Sequence, residues 1–377
     1  MSFLFSFITA YHFIYVVILS PVFSIWKRSK LLEVILLTIF IIALVTFIGT
    51  RGNSGADYLA YLDMFSLVPS LDNFSLDTTS QIHGEFGYLF LNSIIKTAGF
   101  EIVLLFIVIA ILSIFSKFWF VFKTSSYPLL AISLYLSHYF ILIEFVQVRW
   151  GAAIGLLCVC LYFFNENKKL KSLLFFFAAV SIHYFSFIFV FIYFLNCRWF
   201  TISRLNFLFL TSTIVGFLIN VPGIFISFIH SFLSQVPTLS YVSGKLVGYA
   251  VNNSTELSII VKVKVLLFYG LFYLFYLFSH RSTSKSKLYA KAYIFSLSLV
   301  MVFSSFSVLS ARLLVFSELI VFVLISDSIR RVKPEWVRIL MTLGLILFSF
   351  FYFRFIIFGS YQSGILWDYN TVLSVYL

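Results

Sequence analysis

Charged side chains are scarce in this chain of 377 residues. Asp, Glu, Lys and Arg together make up 11% of it, where a soluble globular protein carries roughly 25%. So few charges do not cover a water-facing surface. A soluble domain, a disordered chain and a nucleic-acid-binding domain are all excluded. Cysteine is nearly absent. Cys158 and Cys160 lie inside an apolar run and point to different sides of a helix, and Cys197 stands apart. Neither a disulfide framework nor a zinc site follows from them. Also missing are a P-loop, a dinucleotide fingerprint, a paired metal-ligand motif and a nucleophile elbow. The chain shows no internal repeat and no low-complexity linker. It therefore reads as one membrane domain, residues 1–377, without room for a folded soluble domain. The first 26 residues carry no Asp, Glu, Lys or Arg and no basic leader, which predicts a first membrane helix and not a cleaved signal peptide.

What is present is apolar. Hydrophobic residues make up 62% of the chain, with 51 Phe, 22 Tyr and 6 Trp. At roughly 20 residues per span, the length allows about ten crossings of a bilayer. The expected fold is an all-α polytopic integral membrane bundle. It has about ten or eleven transmembrane helices, a helical hairpin and short interfacial helices.

The net charge of +12 fits cytoplasmic loops that collect Lys and Arg. The run 3–25 ends at Trp26, Lys27, Arg28 and Lys30, which places the N-terminus outside and 31–49 returning outward. Residues 50–84 then form the longest polar stretch, with Asp57, Asp63, Asp72 and Asp77 against one basic residue, Arg51. That balance predicts an extracytoplasmic segment, and 222–256 is predicted as a second. Residues 85–98 are too short to span and are placed at the interface. Further spans are expected at 101–122 (ending inside at Lys117 and Lys123), 127–145, 149–164, 205–221, 257–279, 289–309, 312–328 and 336–358. Residues 172–196 read either as one span or as a hairpin that breaks near His183. The positive-inside rule favours the hairpin, because it keeps Arg198 and Arg204 inside.

With this topology a few basic residues fall outside cytoplasmic loops: Arg51, Arg149, Arg312 and Arg354, with Lys96, Lys245, Lys262 and Lys264 outside or near it. Arginines at the outer rim run against the positive-inside bias. The plain explanation is snorkelling or pairing with acids. As a set they point to an anionic ligand in an outward-facing cavity, since guanidinium offers a planar fork of donors to phosphate oxygens. Asp57 and Glu85 each adjoin a glycine, where the backbone is free to turn. Glu144 is placed to pair with Arg149, and Glu318 lies inside a span, where carboxylates are paired or functional. His183 sits at the expected helix break. His138 and His12 are weaker candidates. Gly151-Ala-Ala-Ile-Gly155 reads as helix packing.

Several of these residues form a longer pattern. Arg51, Gly55, Asp57, Tyr58 and Tyr61 come first, then Glu85, Gly87 and Tyr88. Gln147, Arg149, Ala152 and Ala153 follow, then Ile182, His183 and Ser186. The pattern resembles the EpsG-like branch of the Wzy-type bacterial polysaccharide polymerases, which extend O-antigen, capsule or exopolysaccharide chains. Phe86 departs from it, standing where the family often has proline.

The resemblance implies a GT-C-like membrane glycosyltransferase, working without a metal and with no cofactor, at the periplasmic face of the bacterial inner membrane. The growing glycan on undecaprenyl diphosphate would pass to the next lipid-linked repeat unit. Such a reaction must neutralise charge on a leaving diphosphate and deprotonate an acceptor hydroxyl. Arg51, Arg149, Arg312 and Arg354 are the candidates for the diphosphate. Tyr58, Tyr61 and Gln147 are candidates for the glycan. Asp57, Glu85 and His183 are candidates for base or acceptor positioning. The implied partners are the lipid-linked glycans, the bilayer and a chain-length regulator protein. A flippase or transporter of lipid-linked oligosaccharide, an O-antigen ligase, or another polyprenyl-linked glycosyltransferase shares much of this architecture and stands as the alternative.

Overall fold

A computed structural model describes residues 11, 13–26, 29–79, 82, 84–220, 223–224, 256–278, 284–366, 369 and 371. His12, Lys245 and nearly all of the predicted segment 222–256 lie outside the described residues. Within the described residues the chain is helical, with no strands and two isolated β-bridges. It divides into two compact units, Met1–Phe191 with Ile329–Leu377, and Ile192–Ser328.

The first unit contains α1 (Phe13–Phe23), α2 (Lys30–Gly49), α3 (Tyr58–Leu67), α4 (Phe86–Thr97), α5 (Ile102–Thr124), α6 (Pro128–Val146), α7 (Val148–Asn165) and α8 (Lys169–Ile182). The second contains α9 (Ile202–Leu218), α10 (Ile259–Phe278), α11 (Ser284–Val302) and most of α12 (Ser307–Arg330); α13 (Glu335–Gln362) returns to the first. Six of these, α2, α5, α6, α7, α12 and α13, are long and apolar enough to cross a membrane. The protein is a multi-pass membrane protein. Some of the other expected crossings fall on shorter or more polar helices. Examples are α9, with 17 residues, and α11, which opens on Ser284, Lys285, Ser286 and Lys287.

The burial pattern inverts that of a soluble bundle. On α13, Leu340, Leu347, Phe351, Phe355 and Phe358 are exposed, as are Leu31, Ile35, Ile39 and Ile42 on α2. Rows of large apolar side chains facing outward match acyl chains, not water. Helix α6 is buried at every position from Pro128 to Tyr139 and forms the centre of the unit. Helix α7 packs close to α5 because Gly155 has no side chain. A Cβ there would sit 3.0 Å from the carbonyl oxygens of Leu112 and Ser113, which realises the small-residue packing read from the sequence.

Two features bear on the predicted site. Helix α8 ends at His183, whose backbone is extended (φ −152°, ψ 110°). The chain continues as a 3₁₀ helix, Tyr184–Phe194. The predicted break is therefore present, with 14 helical residues before it and 11 after, each too short to span. The last described residues also fold back onto the loop after α2. Thr371 bridges Arg51 and Leu366 bridges Gly55. The Thr371 hydroxyl donates to the Thr50 carbonyl at 2.9 Å, and Tyr369 stacks on Phe47 with ring centroids 4.1 Å apart.

In the second unit, Glu318 is buried and pairs with Lys264 at 3.0 Å, as expected for a carboxylate within a span. Lys262 is buried with its Nζ 3.4 Å from the Gly216 carbonyl. Arg312 is half-buried on α12.

Candidate functional site

Sequence segments far apart in the first unit converge on Arg149. Its Nη1 donates to Glu85 Oε2 at 2.7 Å. Its guanidinium lies over two aromatic rings, Tyr88 at 5.2 Å and Tyr61 at 5.6 Å. His183 Nδ1 stands 3.6 Å from the other oxygen of Glu85 and accepts from the Phe185 N–H at 3.3 Å. Trp150, one residue after Arg149 and fully buried, packs edge-on to the His183 ring at 5.1 Å.

Local structure explains why Glu85 and His183 meet. Glu85 is the residue before α4, with an extended backbone (φ −85°, ψ 148°). The start of α4 lies directly against the end of α8. A Cβ on Gly87 would stand 2.5 Å from Ser181 Oγ and 2.8 Å from the Ser181 carbonyl oxygen. The Phe86 N–H also donates to the Tyr184 hydroxyl across this contact at 3.2 Å. Gly87 is thus needed for close approach. The chain turns at the glycines beside Asp57 and Glu85, as the sequence reading allowed: the Tyr58 N–H donates to the Gly55 carbonyl at 3.0 Å and Gly84 lies in a bend, while the positive-φ glycines among the described residues are Gly99 and Gly364. Gly87→Val is expected to push α4 off α8, breaking the Glu85–His183 contact and lowering Tm by about 4 °C or more. Thermal melts of Gly87→Ser and Gly87→Val check this, with Val the more damaging.

Arg51 lies beside this group. It is 1% exposed. Its guanidinium sits between two rings, 4.7 Å from Phe106 and 4.8 Å from Phe145, with Tyr61, Tyr58 and Asp57 as its electrostatic neighbours. Burial pushes its pKa down to about 10, opposed by those neighbours, so it is a cation at neutral pH. Its Nε and Nη1 have no hydrogen-bond partner among the described residues, and neither does Nε of Arg149. Burial raises the pKa of Tyr61 and Tyr88 despite the pull of Arg149. Their phenols are therefore protonated donors at neutral pH. The buried donors of Arg51 and Arg149 that meet no partner among the described residues are costly, and an anion would satisfy them.

The other expected residues are placed as follows. Tyr58 is buried against Phe106, with centroids 5.6 Å apart, and Asp57 is half-buried at the start of α3. Gln147 is the link between α6 and α7, its N–H donating to the Leu142 carbonyl at 2.8 Å. Arg354 is exposed on α13 with Tyr15 nearby. Arg312 belongs to the second unit. His138 is structural, its ring stacked on Tyr352 at 4.1 Å and its Nδ1 2.8 Å from the Leu134 carbonyl. Lys96 holds the C-terminal carbonyls of α3, with Nζ 2.8 Å from Ser66 O and 2.7 Å from Val68 O.

One pairing and one placement read from the sequence are corrected. Glu144 does not pair with Arg149, and Lys117 is not a loop residue at a span end. Lys117 lies within α5 and pairs with Glu144 at 2.6 Å. The reason is angular: Glu144 belongs to a π-helical segment, Phe140–Val146, which turns it toward α5, while Arg149 starts the next helix facing α3 and α4. Sequence reasoning also missed Trp150 and the rings of Phe106 and Phe145. Nothing in their spacing separates them from the many other aromatics.

An all-α, multi-pass membrane protein with a buried arginine held between two aromatic rings, beside a Glu–Arg–His group, is the class these features define. The family model of the EpsG family matches residues 34–371, and the chain belongs to that family, the Wzy-type/EpsG polysaccharide polymerases. No curated protein and no solved structure matches the chain.

Proposed function

We propose that this protein joins undecaprenyl-diphosphate-linked oligosaccharide repeat units at the periplasmic face of the bacterial inner membrane. In this reading an acceptor hydroxyl of one lipid-linked unit attacks the anomeric carbon of the growing chain. The bond from that carbon to the diphosphate oxygen breaks, and the lipid diphosphate leaves with its electron pair. The hydroxyl proton goes to a base. The observation that carries the reading is Arg51: a buried cation with two N–H donors unpartnered among the described residues, next to Arg149, which also has one.

Arg51 and Arg149 neutralise the charge that grows on the leaving diphosphate. Such donors are most effective where water is excluded. Glu85 is committed to Arg149 at 2.7 Å, so it orients its neighbours and is not assigned as the base. His183 is the assigned base. Because Nδ1 accepts from the Phe185 N–H, it carries the ring's lone pair and takes the proton, and the Glu85 carboxylate 3.6 Å away stabilises the imidazolium that forms. Tyr58 and Tyr61 present a ring wall to the glycan.

The test is complementation. A strain lacking its own polymerase receives this chain with the repeat-unit genes that belong to it, and surface polysaccharide is read on a gel. A ladder of many repeats is expected. A persistent single-repeat product with the protein present in the membrane rejects the polymerase reading and favours a transporter or ligase.

A further inference from the structure

Lys117 and Glu144 take no part in that reaction, yet they are as enclosed as Arg51. Their side chains are 1% and 0% exposed, on helices that lie within the membrane. A charge there is retained only when it is paired and hydrogen-bonded. This pair is fully satisfied. The Lys117 ammonium donates three times, to Glu144 Oε1 at 2.6 Å, to Ser113 Oγ at 2.5 Å and to the Gly151 carbonyl at 2.7 Å. Glu144 also accepts from Tyr135 at Oε1 (2.5 Å) and from Ser113 at Oε2 (2.6 Å).

The backbone has been bent to make this possible. Ser113 lies in the π-helical segment Ile111–Phe115 of α5, and Glu144 in the π-helical segment of α6. Each is the kind of local distortion that collects at functional positions. Gly151 completes the fit, since a Cβ there would lie 2.9 Å from Ser113 Oγ and from the Ile143 carbonyl oxygen. The consequence falls on Arg149. Between Glu144 and Gly151 the chain leaves α6, turns at Gln147 and enters α7. Both ends of that turn are held by one ammonium, and Arg149 lies inside it.

We propose that Lys117 is a positioning residue: with Glu144 it clamps both ends of the 144–151 turn and so aims Arg149 at Glu85 and the anion pocket. The catalytic part of this proposal rests on the polymerase reading; the geometric part does not. The two are therefore tested separately on the full-length protein in detergent.

The first test is a thermal double-mutant cycle. Glu85→Gln is introduced into the wild type and into Lys117→Met/Glu144→Leu, which removes the clamp without leaving a buried charge. In the wild type, Glu85→Gln is expected to lower Tm by about 4 °C. In the clamp variant the drop is expected to shrink to about 1 °C, because Arg149 is no longer held on Glu85. Equal drops in both backgrounds overturn the proposal. Should the double variant fail to fold, Ser113→Ala, which removes one link between the two charges, enters the same cycle and is judged by the same criterion.

The second test is chain extension. The clamp variant is expected to lose about tenfold in kcat with KM changed less than about threefold. Wild-type kinetics in the clamp variant also overturn the proposal. A wild type that extends no chain refutes the polymerase reading, and the cycle still decides the clamp.

Discussion

Arg51→Met is expected to abolish chain extension while leaving Tm unchanged or raising it by about 2 °C. The two effects have one cause. Arg51 is a fully buried cation whose Nε and Nη1 meet no acceptor among the described residues. Each such group costs about 1–3 kcal/mol in the ligand-free protein. Contacts to Phe106 and Phe145 return part of that cost, about 1–2 kcal/mol when desolvated. Methionine removes the unmet donors and keeps most of the volume between the two rings. A residue retained for stability does not behave this way; one retained for a ligand does. Activity should fall by at least about a hundredfold, the usual cost of one preorganised donor at a developing charge. A thermal melt and a polysaccharide gel on the same preparation check both. A clear fall in Tm, or a retained ladder, sinks the assignment.

Arg149→Ala is expected to act in the opposite direction on stability. Arg149 is already paired, so its removal leaves Glu85 a buried carboxylate beside His183. Breaking a fully buried pair costs about 3–5 kcal/mol. Here the two side chains are 15% and 12% exposed, which lowers the expected cost to about 1–3 kcal/mol. Activity is expected to fall by about a hundredfold or more. The companion variant Arg149→Met/Glu85→Gln is expected to recover most of the lost Tm and none of the activity. Recovery of chain extension in the double variant would mean that the pair is structural and that the diphosphate is handled elsewhere. The contrast between the two arginines is the sharper test: one is expected to be neutral or destabilising to the protein when present, the other stabilising.

Much of this was legible in the residues. Too few charges for a water-facing surface required a membrane bundle, because 62% hydrophobic residues have no other solvent. The break at His183 was legible too, since a polar residue inside an apolar run and a basic cluster soon after it are inconsistent with an uninterrupted span. The pairing of Glu318 within the membrane followed from the cost of an isolated buried carboxylate, although its partner, Lys264, did not. Arg51, Arg149, Glu85 and His183 stood out as ionisable groups misplaced for a simple loop.

Which of them meet was decided elsewhere. Arg149 pairs with Glu85, 64 residues away, and not with Glu144, five residues away, because a π-helical segment turns Glu144 toward Lys117. A one-residue insertion in helical register is invisible to hydropathy, since it changes direction and not composition. The closeness of Glu85 to His183 depends on the missing side chain of Gly87 against Ser181, and a glycine's role as turn or as contact is set by what packs on it. The enclosure of Arg51 under Phe106 and Phe145 draws on two rings among 51 phenylalanines. The sequence by itself determined the solvent, the helical class and the short set of charges worth watching, because burial cost depends on residue type. Only the tertiary structure decided which charge is paired and which keeps unpartnered donors among the described residues, because that depends on angle and distance between segments far apart in the chain.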